Sequence, residues 1–504
     1  MANHLFDSLT RAREVDSTHP FAIVPGRQPL EYGRFYRDAG RAAAALIANG
    51  ITPGARVAVQ AEKSVTVLAA YLGTIAAGGV FFPMNPAYTD EEVEFLLKDA
   101  RPSLLVCDPE RIESLRGIAE AAGVERVFSL DREGIGCFRD LIENAPVAPA
   151  VERSASDLAA ILYTSGTTGR PKGAMLSHSA LAANSQSLKT LWQFGGDDCL
   201  IHALPVYHTH GLFVATNVAL MAGCTLRFFQ KFVAGEIIDA FATATAMMGI
   251  PTFFSRLLGH QELNREAAAG MRLFISGSAP LPAELHRRWT RRTGHRILER
   301  YGMTEANMIC SIPYEGPRKP GAVGRPLPDT EIRIRDLESG AVVGGGAGML
   351  EVRGPGLFSG YWRNPRKTAQ EFTADGYFIT GDIACLDEDD FVVIEGRARD
   401  LVISGGVNIY PKEIEQAIEE IPGVKECAVI GVPHPDLGEA VVAVLTADEP
   451  ESFTLEAVRE NLAGRLARFK HPKQVLVQSE LPRNSMGKIQ KNRLRDALGQ
   501  LFSE

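Results

Sequence analysis

Tyr163-Thr-Ser-Gly-Thr-Thr-Gly-Arg-Pro-Lys-Gly173 packs three glycines, four aliphatic hydroxyls and two cations into one stretch. The apolar run Leu158-Ala-Ala-Ile-Leu162 leads into it and predicts a buried strand. A strand ending in such a loop can turn backbone N–H groups and hydroxyls towards a polyphosphate, because glycine permits close approach and positive φ. Arg170 and Lys172 add charge for the same anion. Thr164, Ser165, Gly166, Thr167, Thr168, Gly169 and Lys172 are therefore candidate phosphate ligands. Taken alone, a loop of this kind also reads as an ordinary Gly-rich turn. It is not a Walker A loop, which needs a hydroxyl after its lysine; here Gly173 and Ala174 follow Lys172.

Outward from that loop, Ala-rich helical patterns at 35–49 and 66–78 alternate with the strand-like runs Val57-Ala-Val-Gln60 and Leu104-Leu-Val-Cys107. Alternation of this kind predicts α/β layers on a mostly parallel sheet. Glycine and proline at 315–325 and 339–348 mark loops, with Ile332-Arg-Ile-Arg335 and Met349-Leu-Glu-Val-Arg353 as strands of a β-rich portion. After Gly396-Arg-Ala-Arg-Asp400 a new unit begins, with helices at 411–420 and 454–467 and strands at 426–432 and near 439–446. We therefore expect a large domain over 1–395, a hinge at 396–400 and a small α+β domain over 401–504. At 504 residues the chain is long for one core.

The net charge of −8 argues against a generic nucleic-acid surface. No apolar run approaches the ~18–20 residues of a membrane span. The first residues lack a signal-peptide pattern and the last lack a peroxisomal address, so a cytoplasmic enzyme is expected. Seven widely spaced cysteines without Cys-x-x-Cys read as reduced, buried filler.

Three further strings carry chemistry. In Arg300-Tyr-Gly-Met-Thr-Glu305 a hydroxyl stands beside a carboxylate. Thr304 could donate to a phosphate and Glu305 could hold Mg²⁺, although a helix cap at Thr304 reads equally well from the residues. Gly376-Tyr-Phe-Ile-Thr-Gly-Asp382 places an Asp where it can accept from ribose hydroxyls, or simply lie on the surface. Ser276-Gly-Ser-Ala-Pro280 is small enough for a base to lie flat on backbone, or is a plain strand-to-helix turn. The cations Arg483, Lys488, Lys491 and Arg493 could form a solvated tail.

Together with Leu481-Pro-Arg-Asn-Ser-Met-Gly-Lys488, these strings resemble the adenylate-forming, acyl-activating superfamily over nearly the whole chain. The resemblance implies a carboxylate attacking the α-phosphate of ATP, release of pyrophosphate, and transfer of the acyl group to a thiol. ATP, Mg²⁺ and coenzyme A are the implied co-substrates and metal. The family motifs assign Ser278, Ala279 and Pro280 to the adenine, and Tyr301, Gly302 and Met303 to the same nucleotide. They assign Asp382 and Arg397 to the ribose, Thr304 to the α-phosphate and Glu305 to Mg²⁺. Lys488 is the adenylation lysine, a position also open to acylation by a protein acetyltransferase. Arg399 occupies the hinge position, where Lys or Asp is more usual. Ser404, Gly405 and Gly406 would line a pantetheine tunnel. No carrier-protein motif follows, so free coenzyme A is the expected acceptor.

The acyl pocket falls in Ile201-His-Ala-Leu-Pro-Val-Tyr-His-Thr-His-Gly-Leu-Phe-Val214, where His208 matches the family's usual His. Thr209 and His210 are polar for a fatty-acid pocket. Arg256, Arg300 and Met308 fall in other pocket segments. An arginine buried beside an acyl chain is costly, but opposite a second carboxylate it binds bidentately. Tyr-His-Thr-His-Gly, Glu-Arg-Tyr-Gly-Met-Thr-Glu and Asn-Met resemble malonyl-coenzyme A synthetases. Methylmalonate would be tolerated where Thr209 and Met308 leave room. Pairing of each arginine with a nearby acid, such as Glu299 beside Arg300, and a pocket for another short-chain or aryl acid, remain open here.

Overall fold

Strands Arg56–Gln60, Val80–Pro83 and Leu104–Cys107 alternate with helices Val65–Ala76 and Asp90–Ala100, and each strand is apolar enough to be buried on both faces. The computed structural model describes residues 3–164, 171–404, 407–463, 465–484 and 487–502. Among these residues the chain forms four sheets. The first runs Val127–Ser129, Leu104–Cys107, Arg56–Gln60, Val80–Pro83, Leu158–Thr164, Lys172–Ser177 in spatial order. All its pairs are parallel except the last, where Leu158–Thr164 and Lys172–Ser177 flank the 163–173 stretch as an antiparallel pair.

A nine-stranded sheet places Cys199–His202, Ala246–Gly249, Leu273–Ser276 and Leu298–Met303 side by side and parallel. Their carboxyl ends deliver His202, Gly249, Ser276 and Met303 to one edge, where ligands bind in open α/β sheets. Asn307–Ser311 then turns back against Leu298–Met303. The β-rich portion is an antiparallel five-stranded sheet, Val342–Val343, Glu331–Arg335, Gly348–Arg353, Phe378–Leu386, Val392–Arg397.

One apolar core extends through these three sheets as far as Ile394, a second packs on the first sheet around Phe82, Leu97 and Leu105, and further cores begin at Val402. In the small sheet, Val424–His434 pairs with Gly438–Ala447. Alternate residues point to opposite faces. Cys427, Val429, Val441 and Ala443 pack with Ile414 and Ile418 of helix Pro411–Glu419, while Ala428, Ile430, Val432 and Val442 pack with Leu494 of helix Lys491–Leu498. The helix expected over 454–467 spans only Leu455–Leu462. Ala463 is already extended, and Gly464, next in sequence, is a poor helix former.

The cationic tail is not free either: Lys491 pairs with Glu415 at 2.6 Å and Arg483 pairs with Glu426. Of the cysteines, Cys107, Cys224, Cys310 and Cys427 are buried, but Cys137 is exposed and departs from the expected filler. Burial pushes the thiol of Cys107 up to about 12 and those of Cys199 and Cys385 up to about 11, far from a reactive thiolate. Among the described residues no helix is long and apolar enough to cross a membrane.

Candidate active site

Thr304, Glu305 and Ala306 form the turn between strands Leu298–Met303 and Asn307–Ser311, closed by Asn307 at φ 51°. Thr304 is thus a hairpin residue, and the helix-cap reading fails. The turn aims Glu305 inwards, where it is 7% exposed. Its Oε1 accepts from the Tyr361 hydroxyl at 3.0 Å and from Thr164 Oγ1 at 3.3 Å, at the point where the phosphate stretch leaves its strand. Lys172, on the returning strand, holds its ammonium 4.8 Å over the Tyr361 ring. Ser165, Gly166, Thr167, Thr168 and Gly169, with Arg170, lie outside the described residues. Tyr361 was missed in the sequence; a lone aromatic in Gly-Tyr-Trp offers no signal without its partner.

The ribose candidates are a registered cross-strand pair. Asp382 on Phe378–Leu386 stands directly opposite Arg397 on Val392–Arg397, and Arg397 Nε donates to Asp382 Oδ1 at 2.7 Å. The other carboxylate oxygen accepts from the Tyr301 hydroxyl. Asp382 is 3% exposed, so the surface reading fails. Ser276–Pro280 connects strand Leu273–Ser276 to helix Ala283–Thr293, with Ser278 left-handed at φ 69° and Ala279 and Pro280 completing the turn. Gly302 is locked against the returning strand: a Cβ there would lie 2.1 Å from the Asn307 carbonyl and 2.6 Å from Met308 Cε.

Glu299 and Arg300 are neighbours on a strand and so face opposite ways. Glu299 accepts from the Gly321 N–H at 3.1 Å and lies 3.3 Å from His286 Nδ1, leaving Arg300 alone on the other face. Arg300 is 5% exposed, and its Nε and Nη2 have no partner among the described residues. Burial brings its guanidinium down to about 9. Its plane lies on Gly277, where a Cβ would approach Arg300 Cζ to 2.3 Å. His208 Nε2, Thr209 Oγ1, His210 Nε2 and Ser276 Oγ are also buried without partners among the described residues. His210 Nδ1 is 3.1 Å from Ser278 Oγ, and burial, then Arg300, hold the ring neutral. Met308 is buried in the adjoining strand, its main chain clasped by Asn184. Arg256 differs from expectation: it stands exposed on helix Pro251–Leu258, not buried with Arg300.

Lys488 is exposed over the residue as a whole, yet desolvation brings its ammonium down to about 8. Burial is the main cause; Arg397 and Arg300 lower it further, against Asp382 and Glu305. Burial, then Lys488, takes the His208 imidazole down to about 4. The Lys488 ammonium therefore lies within the electrostatic reach of Arg397, Asp382, Arg300 and Glu305. Arg399 lies in the 3₁₀ turn Ala398–Asp400 and Ser404 at the end of strand Val402–Ser404; Gly405 and Gly406 lie outside the described residues.

Residues 10–362 match the family model of the AMP-binding enzyme, and residues 413–488 that of the AMP-binding enzyme C-terminal domain. The chain belongs to the AMP-binding enzyme family. It is 36% identical over 487 residues to a malonate–CoA ligase of Arabidopsis thaliana, covering 89% of this chain and 79% of that protein. It is 32% identical to a feruloyl-CoA synthase of Amycolatopsis, covering 96% and 97%. ATP-bound MatB from Rhodopseudomonas palustris superposes with a TM-score of 0.97 at 49% identity, and apo MatB with 0.86, each over 100% of both chains. The protein is an AMP-forming acyl-CoA ligase, using ATP, Mg²⁺ and coenzyme A. Its fold is the layered α/β fold with a β-rich subdomain expected from the sequence.

Proposed function

We propose that the substrate acid is malonate, condensed with ATP to malonyl-adenylate and then with coenzyme A to malonyl-CoA. The observation that carries this reading is Arg300, buried near His210, with its Nε and Nη2, like Thr209 Oγ1 and His210 Nε2, unpartnered among the described residues. A carboxylate at the far end of a short acid satisfies that group; a methyl or aryl group leaves it unpaired. The malonate–CoA ligase relative supports the same choice. Methylmalonate adds one methyl group near Thr209 and Met308.

Within this reading Asp382 and Arg397 hold the ribose, and Thr304 and Lys172 meet phosphate oxygens. Among the described residues no group of three or more His, Cys, Asp or Glu could hold a metal unaided. A single buried carboxylate, Glu305, suits an ion that takes its remaining ligands from phosphate and water. Lys488 bridges the acyl oxygen and the α-phosphate, neutralising charge as the two anions meet. The small domain turns about 396–400, with Arg399 as hinge, so that Ser404, Gly405 and Gly406 can line the thiol's path. We place the enzyme in the cytoplasm and Lys488 within reach of acylation.

Purified protein with ATP, Mg²⁺, coenzyme A and a panel of acids tests the reading, with AMP and each thioester quantified. Malonate should dominate. A dominant acetate, fatty-acid or aryl-acid product would retain the ligase and overturn the dicarboxylate pocket.

A further inference from the structure

Lys63 is fully enclosed, in the loop between strand Arg56–Gln60 and helix Val65–Ala76, and none of its hydrogen bonds goes to a carboxylate among the described residues. Its ammonium donates to the carbonyls of His202 at 2.7 Å and Phe229 at 2.8 Å, and lies 3.0 Å from His202 Nδ1. It sits 4.3 Å over the Phe228 ring. The Gly211 carbonyl, 2.9 Å from Nε2, can only accept, so the imidazole proton is on Nε2 and Nδ1 accepts from Lys63. Nε2 then donates to the Gly211 carbonyl at 2.9 Å, which also accepts from Thr216 Oγ1 at 2.9 Å.

Gly211 follows His210 and lies in the π-helix His210–Thr216. Such turns are rare and cluster at functional sites. This one has no slack, because a Cβ at Gly211 would lie 2.0 Å from the Pro205 carbonyl oxygen. Filling the space would need only an apolar side chain; burying an ammonium there is costly unless its directional bonds matter.

We propose that Lys63 is a positioning residue for the acid substrate. By fixing the His202 tautomer it fixes the Gly211 carbonyl, and with it the direction in which His208, Thr209 and His210 face the acyl group. The inference rests on the reading that these three residues line the acyl pocket, but not on which acid they select.

Lys63→Met, His202→Leu and His202→Gln test it, with KM measured for ATP and for whichever acid the panel ranks first. A thermal melt of each variant checks folding. Glutamine can accept from Lys63 through its amide oxygen and donate to Gly211 through its amide nitrogen, so it preserves both bonds. The expected result is an acid KM raised about tenfold or more in the methionine and leucine variants, with the ATP KM within about twofold, and near wild-type constants for glutamine. Unchanged acid KM in folded Lys63→Met and His202→Leu, equal loss for acid and ATP, or a glutamine variant as impaired as leucine would each overturn it. Should the methionine and leucine variants not fold, ¹⁵N-histidine spectra of the wild-type protein decide, with His202 assigned through His202→Gln. A neutral Nε2–H ring from about pH 6 to about pH 9 upholds the relay, and a titrating ring or an Nδ1–H tautomer rejects it. A failed malonate reading would appear in the acid panel and leave these outcomes intact.

Discussion

An arginine held in the core without a carboxylate is expensive, and among the described residues Arg300 is kept that way, with Glu299 turned to the opposite face of its strand. Removing the guanidinium should therefore be felt by an acid that supplies the missing charge and hardly by one that does not. Arg300→Ala is expected to lower kcat/KM for malonate by roughly 2–5 kcal/mol. That is about 30-fold to several thousand-fold, while use of acetate or propionate stays within a small factor. Equal losses for all acids would mean that Arg300 serves the fold.

Lys488 gives a second prediction at this scale. Its ammonium is brought down to about 8, mainly by burial. In the role proposed for it Lys488 acts protonated, a form that is complete well below that value and lost above it. Acyl-adenylate formation, read as ATP–pyrophosphate exchange, should be flat below about pH 7 and fall about tenfold per unit well above pH 8. His208, held at about 4 by burial and by Lys488, stays neutral throughout and adds no limb of its own in that range.

At the scale of elements, the hairpin Leu298–Ser311 and the turn Ser276–Pro280 act together, because Gly277 is the floor on which Arg300 lies. A methyl group at 277 would meet the guanidinium, the far end of a flexible side chain, and displace it without disturbing backbone. Gly277→Ala should thus melt within a few degrees of the wild type yet lose malonate use nearly as far as Arg300→Ala does. A large fall in the melting temperature would instead place the strain in the fold.

These elements also show what the sequence could disclose. Asp382 and Arg397 were legible because each carries its own flanking string; that they face each other across two strands was not. The alternation of helix and strand foretold the parallel sheets, since period and length are local properties. Tyr361, Gly277 and Lys63 were illegible because their roles depend on partners far along the chain: Glu305, Arg300 and His202. The exposure of Arg256 was hidden for the same reason, since an arginine on a short amphipathic helix reads alike whichever way the helix is rolled.

On the scale of the whole molecule, the segment after residue 400 packs so that Lys488 feels the charges of Asp382, Arg397 and Glu305. Arg287 lies 3.3 Å from Glu420, and Lys412 donates to the Ile394 carbonyl, so the segments before and after the proposed hinge are in contact. A thiol must reach the same acyl carbon afterwards, and a lysine held there stands in its way. The two half-reactions should then depend on Lys488 differently. Lys488→Ala is expected to slow adenylate formation by ~3–4 kcal/mol or more, some hundreds-fold in ATP–pyrophosphate exchange. The same variant, supplied with preformed acyl-adenylate and coenzyme A, should still make thioester at a rate within several-fold of wild type, because thiolysis proceeds after the lysine has withdrawn. Loss of both half-reactions in a variant with an unchanged melting temperature would mean that one docking of the small domain serves both steps, and that 396–400 does not act as a hinge.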